Sequence, residues 1–316
     1  MTRSPERETP PPRFPAGYRI GHATDPARRT GCTLILPPPA TIAAVDVRGG
    51  APGTRETGVF TPGNLVSEIH GLLFTGGSAF GLAAAAGVMA RLAERGIGFA
   101  VGKARVPIVA AAVLFDLAVG DPGAFPDEAM GRAAFDAASD AEIPQGPVGA
   151  GAGATVGKLY GIGRAAPGGV GAAALRLPGG QTVAALAAVN AFGDVVDPDT
   201  GRLLAGARGP ETGVAFSARA LCEEDLVETP LAGASTTLVC VATSHPFEPG
   251  SLRRIAIEAH DGLARAVRPA HSVVDGDVVF ALAPAGDPPP LLARLRTGAA
   301  AAEVTARAIA AAVMAA

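Results

Sequence analysis

Lysine is nearly missing from this chain of 316 residues: of its 26 Lys and Arg residues, only Lys103 and Lys158 are lysines. Cysteine is scarce too. Cys32, Cys222 and Cys240 are three, widely spaced, with no CxxC pair and no zinc-ligand spacing, and the five histidines form no HExxH motif. No metal and no cofactor is therefore expected. Charged residues make up 17% of the chain with a net charge of −3, and no basic cluster interleaves with aromatics. That argues against nucleic acid or an anionic membrane as a partner. The apolar stretches are Ala/Gly-rich and interrupted, so none reads as a membrane span. The opening "MTRSPERETPPPRFPAG" lacks the apolar core of a signal peptide, and its proline and charge predict a disordered arm over residues 1–17. Unpaired cysteines and no export signal point to a reduced, cytoplasmic protein.

Hydrophobic residues, at 48%, are enough for a large core in a single domain over 18–316. Strand-like runs fall at 41–47, 71–74, 98–101, 172–177, 182–189, 236–243 and 278–283. Gly179-Gly180 in "RLPGGQTV" predicts a tight hairpin turn, with Asn190 just beyond its second strand. Helical periodicity occupies "AFGLAAAAGVMARLAERG", with Ser78 as an expected cap and Gly96 as its stop. It recurs over 127–140, over 252–267 ahead of Pro269, and in the Ala-rich tail from Pro290. Strands apolar on both faces, mixed with helices, predict a layered α/β fold with covered sheets.

Three glycine-rich motifs fail on inspection. "GATVGKL" lacks the first glycine of a phosphate-binding loop, where Ala152 stands, and the Ser/Thr after the lysine, where Leu159 stands. "GAGAGA" from Gly149 has no acid between Glu142 and Asp194 to hold a ribose. "GGSAFG" carries Phe80 where a nucleophile elbow needs its second glycine. The unexplained feature is "GASTTLVCVAT": Ser235, Thr236 and Thr237 lie directly before an apolar strand. Threonine suits strands and serine suits turns, so propensity alone accounts for them.

Read in order, "GHATD", "TGCTLIL", "VDVRGGAPGTRET", "LFTGGSAFGL", "VPIVAAAVLFDL", "GAGAGATVGKLYG", "GGVGAAA", "AAVNAFGDVVDP", "STTLVCVAT" and "RPAHSVVDGDVVFALA" resemble the DmpA-type aminopeptidases, which include β-peptidyl aminopeptidases and nylon-oligomer hydrolases. The resemblance runs from Tyr18 to the C-terminus. It implies a layered αββα sandwich of the kind shared with ornithine acetyltransferase. It also implies self-cleavage between Ser235 and Thr236, giving chains 1–235 and 236–316. Thr236 would be the nucleophile, and its freed α-amine, with an unperturbed pKa near ~8, the base. Asp275 and Asp277 match the acids that orient the nucleophile, and their i, i+2 spacing on extended chain puts both on one face. Lys158 matches a lysine near the nucleophile. Asn190 matches the amide that helps hold the carbonyl oxygen. Strand alternation turns Thr237 to the opposite face from Thr236.

Four places depart from the resembled pattern: Ser235 replaces the usual Asn or Gly, Phe115 stands where some relatives have Tyr, Ser244-His245 stand where an acid is usual, and Ala83 stands where another is usual. The implied function is hydrolysis of amide bonds in small peptides or amino-acid amides by a homo-oligomer, a tetramer of processed pairs. The alternatives are an acyltransferase of the ornithine-acetyltransferase type and an unprocessed, non-catalytic protein on the same scaffold. No "KGxGMT"-like stretch precedes Thr236, which counts against the acyltransferase.

Overall fold

The structure is a computed structural model and describes residues 11–209, 213–214, 216–223, 226 and 235–316. Its ten principal strands are β1 Arg19–Asp25, β2 Thr30–Leu36, β3 Thr41–Val47, β4 Thr54–Arg55, β5 Gly71–Thr75, β6 Val109–Val113, β7 Gly169–Arg176, β8 Thr182–Asn190, β9 Thr236–Thr243 and β10 Val278–Pro284. Four helices cover them: α1 Ala84–Glu94, α2 Glu128–Asp136, α3 Pro249–Ala266 and α4 Leu291–Met314. The strands form two five-stranded sheets in the orders β1-β2-β5-β6-β4 and β7-β8-β9-β10-β3.

The two inner faces meet in one core. Ile35, Leu72, Phe74, Ala110 and Ala112 of the first sheet face Leu186, Leu238, Cys240, Val278 and Phe280 of the second. Phe74 and Phe280 touch across the gap, with ring centroids 6.2 Å apart. Alternation along each strand sends the neighbouring residues outward. Leu34, Leu73 and Ala111 pack under α1 and α2 through Ala85, Val88 and Phe135. Val239, Val241 and Val279 pack under α3 and α4 through Leu252, Leu263, Val304 and Ile309. The molecule is thus an αββα sandwich. Strand β8 is buried along eight of its nine residues, which explains why its sequence runs apolar without alternating.

The helices begin where local chemistry allows. The Asp127 carboxylate accepts from Met130 N at 2.9 Å to start α2. Glu248 accepts from the amides of Gly250 and Ser251 to start α3, with Pro249 inside the first turn. The hairpin turn at Gly179-Gly180 forms with both φ angles positive, +100° and +90°. Gly96 takes φ +66° at the end of α1.

Three local expectations differ from the structure. Ser78 does not cap α1: it opens a separate turn, Ser78–Ala83, and α1 starts at Ala84. The reason is that Ser78 takes a left-handed φ of +53°, whereas a cap needs extended backbone, and the turn is tied to the residues after β6 by Ser78 N donating to Leu114 O at 3.0 Å and Gly77 N to Asp116 Oδ1 at 2.7 Å. Asn190 is the last paired residue of β8, opposite Thr236, rather than a residue beyond it. The run at 98–101 belongs to a small exposed hairpin, Phe99–Val101 with Ala104–Val106, and Lys103 lies in its turn. Of the N-terminal arm, residues 1–10 lie outside the described residues. In the remainder, Phe14 packs on the central core and meets Tyr18 at 5.6 Å between ring centroids.

Candidate active site

The second sheet ends, at one edge, in a cluster of polar residues that its own interior does not contain. Antiparallel pairing places Asn190, the last residue of β8, opposite Thr236, the first residue of β9. The parallel partner of β9 is β10, and just ahead of β10 Asp275 bridges to Ser235. The sheet register therefore gathers Ser235, Thr236, Asn190, Asp275 and Asp277 at one strand end. The loop after Thr155–Val156 adds Lys158, whose backbone N–H is fixed on Phe192 O at 2.9 Å.

Thr236 is 4% exposed, and its hydroxyl donates to Ser235 O at 2.5 Å. The same carbonyl oxygen accepts from Gly276 N at 2.9 Å. A Cβ on Gly276 would lie 2.7 Å from Thr236 Oγ1 and 2.7 Å from Ala51 O, so only glycine lets the Asp-Gly-Asp backbone approach this closely. Sequence reasoning named the two acids and passed over the glycine between them. Its signal was the crowded position itself, which only the three-dimensional neighbourhood reveals.

Asp277 Oδ1 accepts from Thr237 N at 2.7 Å, which pins the peptide unit following Thr236. Asp275 Oδ1 accepts from Phe192 N at 3.1 Å. Both carboxylates are buried, 1% and 0% exposed. Burial, reinforced by the charge of Asp277, pushes Asp275 above the usual carboxylate range. Thr237 turns its side chain to the other face of β9, as alternation requires. Its hydroxyl is buried with no partner among the described residues.

Lys158 is 1% exposed, and its ammonium donates to Asn190 O at 2.8 Å and Asn190 Oδ1 at 2.9 Å. Burial pulls its pKa down to about 7, although Asp275 and Asp116 hold it up. A buried lysine whose pKa is lowered toward neutrality parts with its proton more readily than an exposed one. Asn190 is held on both sides. Its Oδ1 also accepts from Thr155 N at 2.9 Å, while Nδ2 donates to Phe115 O at 3.0 Å. Phe115 thus serves Asn190 through its carbonyl, although it has no side-chain hydroxyl to offer.

Other polar residues separate cleanly from this cluster. Lys103 is exposed on its hairpin. Buried Asp194 is a structural acid that holds the short helix Ser217–Glu223 through Ser217 Oγ and N and takes Ala207 N at 2.9 Å. Ser244 follows the far end of β9, where its hydroxyl accepts from Thr182 N at 2.9 Å. The departure at Ser244-His245 is therefore at the end of the sheet opposite Thr236.

The assembly is a hydroxyl on a peptide carbonyl, a backbone donor on the same oxygen, a lysine able to take a proton near neutral pH, and two carboxylates. On an αββα sandwich these define a hydrolase of peptide or amide bonds. The family model described as "Peptidase family S58" matches residues 16–316, and the chain belongs to that family. An uncharacterized aminopeptidase of Mycobacterium tuberculosis is 43% identical, covering 94% of this chain and 92% of its own length. A 6-aminohexanoate-oligomer endohydrolase of a Kocuria species is 34% identical over 89% of this chain and 76% of its own. Among solved structures, a Burkholderia beta-aminopeptidase superposes with TM-score 0.70 at 24% identity, covering 96% of this chain and 88% of that one. The L-aminopeptidase D-Ala-esterase/amidase of Ochrobactrum anthropi, described as a variant of the Ntn hydrolase fold, does so with TM-score 0.71 at 20% identity over 95% and 84%. These two likenesses establish the fold.

Proposed function

We propose that this protein is an aminopeptidase or amidase that matures by cutting itself between Ser235 and Thr236, and that Thr236 is the nucleophile of both reactions. The observation that carries this reading is the Thr236 hydroxyl seated on the Ser235 carbonyl, with Gly276 N on the same oxygen. In maturation, Thr236 Oγ1 attacks the Ser235 carbonyl carbon while its proton passes to neutral Lys158. The tetrahedral oxyanion is held by Gly276 N–H. Collapse breaks the Ser235–Thr236 C–N bond, and the nitrogen takes a proton to leave as an amine. Water then hydrolyses the Ser235 ester, releasing chains 1–235 and 236–316 of one hydrolase domain.

The same groups serve the second reaction. The freed α-amine of Thr236 and Lys158 stand as bases near neutral pH. Thr236 Oγ1 attacks the substrate carbonyl, Asn190 Nδ2 and Gly276 N–H stabilise its oxygen, and the amine product leaves. Water then releases the acyl group. Asp277 keeps Thr237 N, and with it the nucleophile's peptide unit, in place, while Asp275 holds the Phe192 backbone and the charge of Lys158. The substrates on this reading are small peptides or amides, which the relatives named as an aminopeptidase and a 6-aminohexanoate-oligomer endohydrolase support.

We place the protein in the cytoplasm, as a homo-oligomer of processed pairs. Its cysteines are all free, and Cys222 is exposed, which suits a reducing compartment. Among the described residues no helix is long and apolar enough to cross a membrane. Leu291, Leu292 and Leu295 at the start of α4 are 64%, 58% and 60% exposed, an apolar surface of the kind subunit contacts cover. The test of function is release of p-nitroaniline from a panel of α- and β-amino-acid p-nitroanilides, run beside a denaturing gel. Turnover accompanied by two fragments is expected. One intact, inactive band would refute the proposal.

A further inference from the structure

Asp275 and Asp277 each carry two oxygens, and the inner one of each is spent on a neighbouring strand end. Their outer oxygens are taken by two consecutive residues to which no role has been assigned. His271 donates to Asp277 Oδ2 twice, from its backbone N at 2.9 Å and from its ring Nδ1 at 2.9 Å. Ser272 donates to Asp275 Oδ2 twice, from its backbone N at 3.1 Å and from its hydroxyl at 2.5 Å. The pattern is one residue for one acid, main chain and side chain together.

His271 adopts an unusual backbone to achieve this. Its φ is +56°, in the left-handed region that a β-carbon disfavours and that histidine, asparagine and aspartate enter more readily than most residues. Such a conformation persists only where its surroundings hold it, and here both donors of the residue converge on one carboxylate oxygen. The ring is also fixed from behind. The His260 ring packs against it edge-on, at 4.7 Å between centroids and 76° between planes. His260 itself is wholly buried in α3 and tied through Nε2 to Asp46 O of β3 at 3.1 Å. A carboxylate partner requires His271 Nδ1 to carry the hydrogen, so the tautomer is set by the acid.

We propose that His271 and Ser272 are positioning residues, a paired clamp that aims the acids at the nucleophile's strand. Asp277 can hold Thr237 N at 2.7 Å only while its carboxylate plane is fixed, and His271 supplies that fixation from the opposite oxygen. Asp275 reaches Phe192 N, and acts on Lys158 by charge, only while Ser272 holds its outer oxygen. Without the clamp both acids keep their burial and lose their aim. The clamp acts on the site of the proposed function and rests on that reading.

The test uses matured full-length protein and compares His271→Leu, His271→Gly, His271→Asn, Ser272→Ala and Ser272→Thr for kcat, KM and melting temperature on one p-nitroanilide substrate. Glycine accepts the left-handed backbone and lacks the ring donor. Asparagine accepts the backbone and carries an amide N–H at the place of Nδ1. The clamp requires His271→Gly and His271→Leu to lower kcat about 10–100-fold with KM within about twofold, the scale of a small misplacement of a reacting group. His271→Asn should recover most of that loss, and Ser272→Thr should recover the loss seen in Ser272→Ala. Wild-type kcat in His271→Gly would overturn the proposal. So would a loss in His271→Asn equal to that in His271→Leu and tracking melting temperature. Thr236→Ala runs as the control: activity in that variant would refute the functional reading itself, whereas a silent Thr236→Ala beside a fully active His271→Gly would refute the clamp alone.

Discussion

The two sheets of the sandwich are built to one plan and used for different purposes. In each, neighbouring strands pair antiparallel, antiparallel, parallel and antiparallel in order, and each lies under two helices. The parallel pair is β5 with β6 in the first sheet and β9 with β10 in the second. The positions of the proposed site in the second sheet are filled by other residues in the first. Where β8 ends in Asn190, β2 ends in Leu36; where β9 begins with Thr236, β5 begins with Gly71; where Asp277 precedes β10, Ile108 precedes β6. The first sheet contributes to the site only from its margin, through the Phe115 carbonyl and the charge of Asp116. Shared topology therefore gives the scaffold, and the proposed activity rests on a few side chains at one strand end.

That asymmetry can be broken most severely at the proposed nucleophile. Thr236→Ala should abolish self-cleavage and lower hydrolysis by roughly 10⁶-fold, the scale of losing a covalent nucleophile, while Thr237→Ala should still mature. A denaturing gel and a p-nitroanilide assay read both. Next come the acids. Asp275→Asn and Asp277→Asn should each lower hydrolysis by about 10²–10⁴-fold with circular dichroism unchanged, because the amide places N–H groups against backbone donors that now meet a carboxylate.

Lys158 sharpens the comparison through pH. Before the proposed cut, the Thr236 nitrogen is an amide and cannot be the base, so the proposed maturation depends on Lys158. Burial lowers that pKa to about 7, so neutral lysine accumulates as pH rises through 7. Self-cleavage of freshly made precursor should fall about tenfold per pH unit below 7 and level off above it. Lys158→Arg, permanently charged, should remove the limb and stall maturation, while Lys103→Ala should match the parent. The smallest effect on turnover is expected in the core. Phe74→Ala and Phe280→Ala, on facing sheets, should each cost about 3–5 kcal/mol by chemical denaturation. Activity per folded molecule should stay close to the parent's, because the scaffold is two-sided where the chemistry is one-sided.

Much of the scaffold was legible in the sequence. Val239 and Val241 belong to one core and Leu238 and Cys240 to another, so the doubly apolar run of β9 predicted a sheet covered on both faces. The fold needed the resemblance as well, because periodicity says nothing about two sheets facing each other. Strands β1 and β2 were missed as strands: Gly21, His22, Thr24 and Thr30 interrupt their apolar pattern. At the site, Thr236, Asp275, Asp277, Lys158 and Asn190 are legible through the resemblance, and the structure brings Thr236, Asn190, Asp275 and Asp277 together at one strand end, with Lys158 on Asn190 from the neighbouring loop. Gly276, His271 and Ser272 were not singled out. Their parts depend on backbone N–H directions and a left-handed φ, which single-letter identity does not carry. Ser78 departs from its expected cap for the same reason, since its left-handed φ of +53° is not the extended backbone a cap needs.

The central claim is that chemistry resides at the Ser235–Thr236 bond. It is tested most directly by intact-mass measurement of the purified protein together with N-terminal sequencing of its smaller fragment. The account predicts two chains, 1–235 and 236–316, with Thr236 as the first residue of the smaller one. A fragment beginning at any other residue would contradict the choice of nucleophile, and a single uncut chain with full hydrolytic activity would contradict the mechanism.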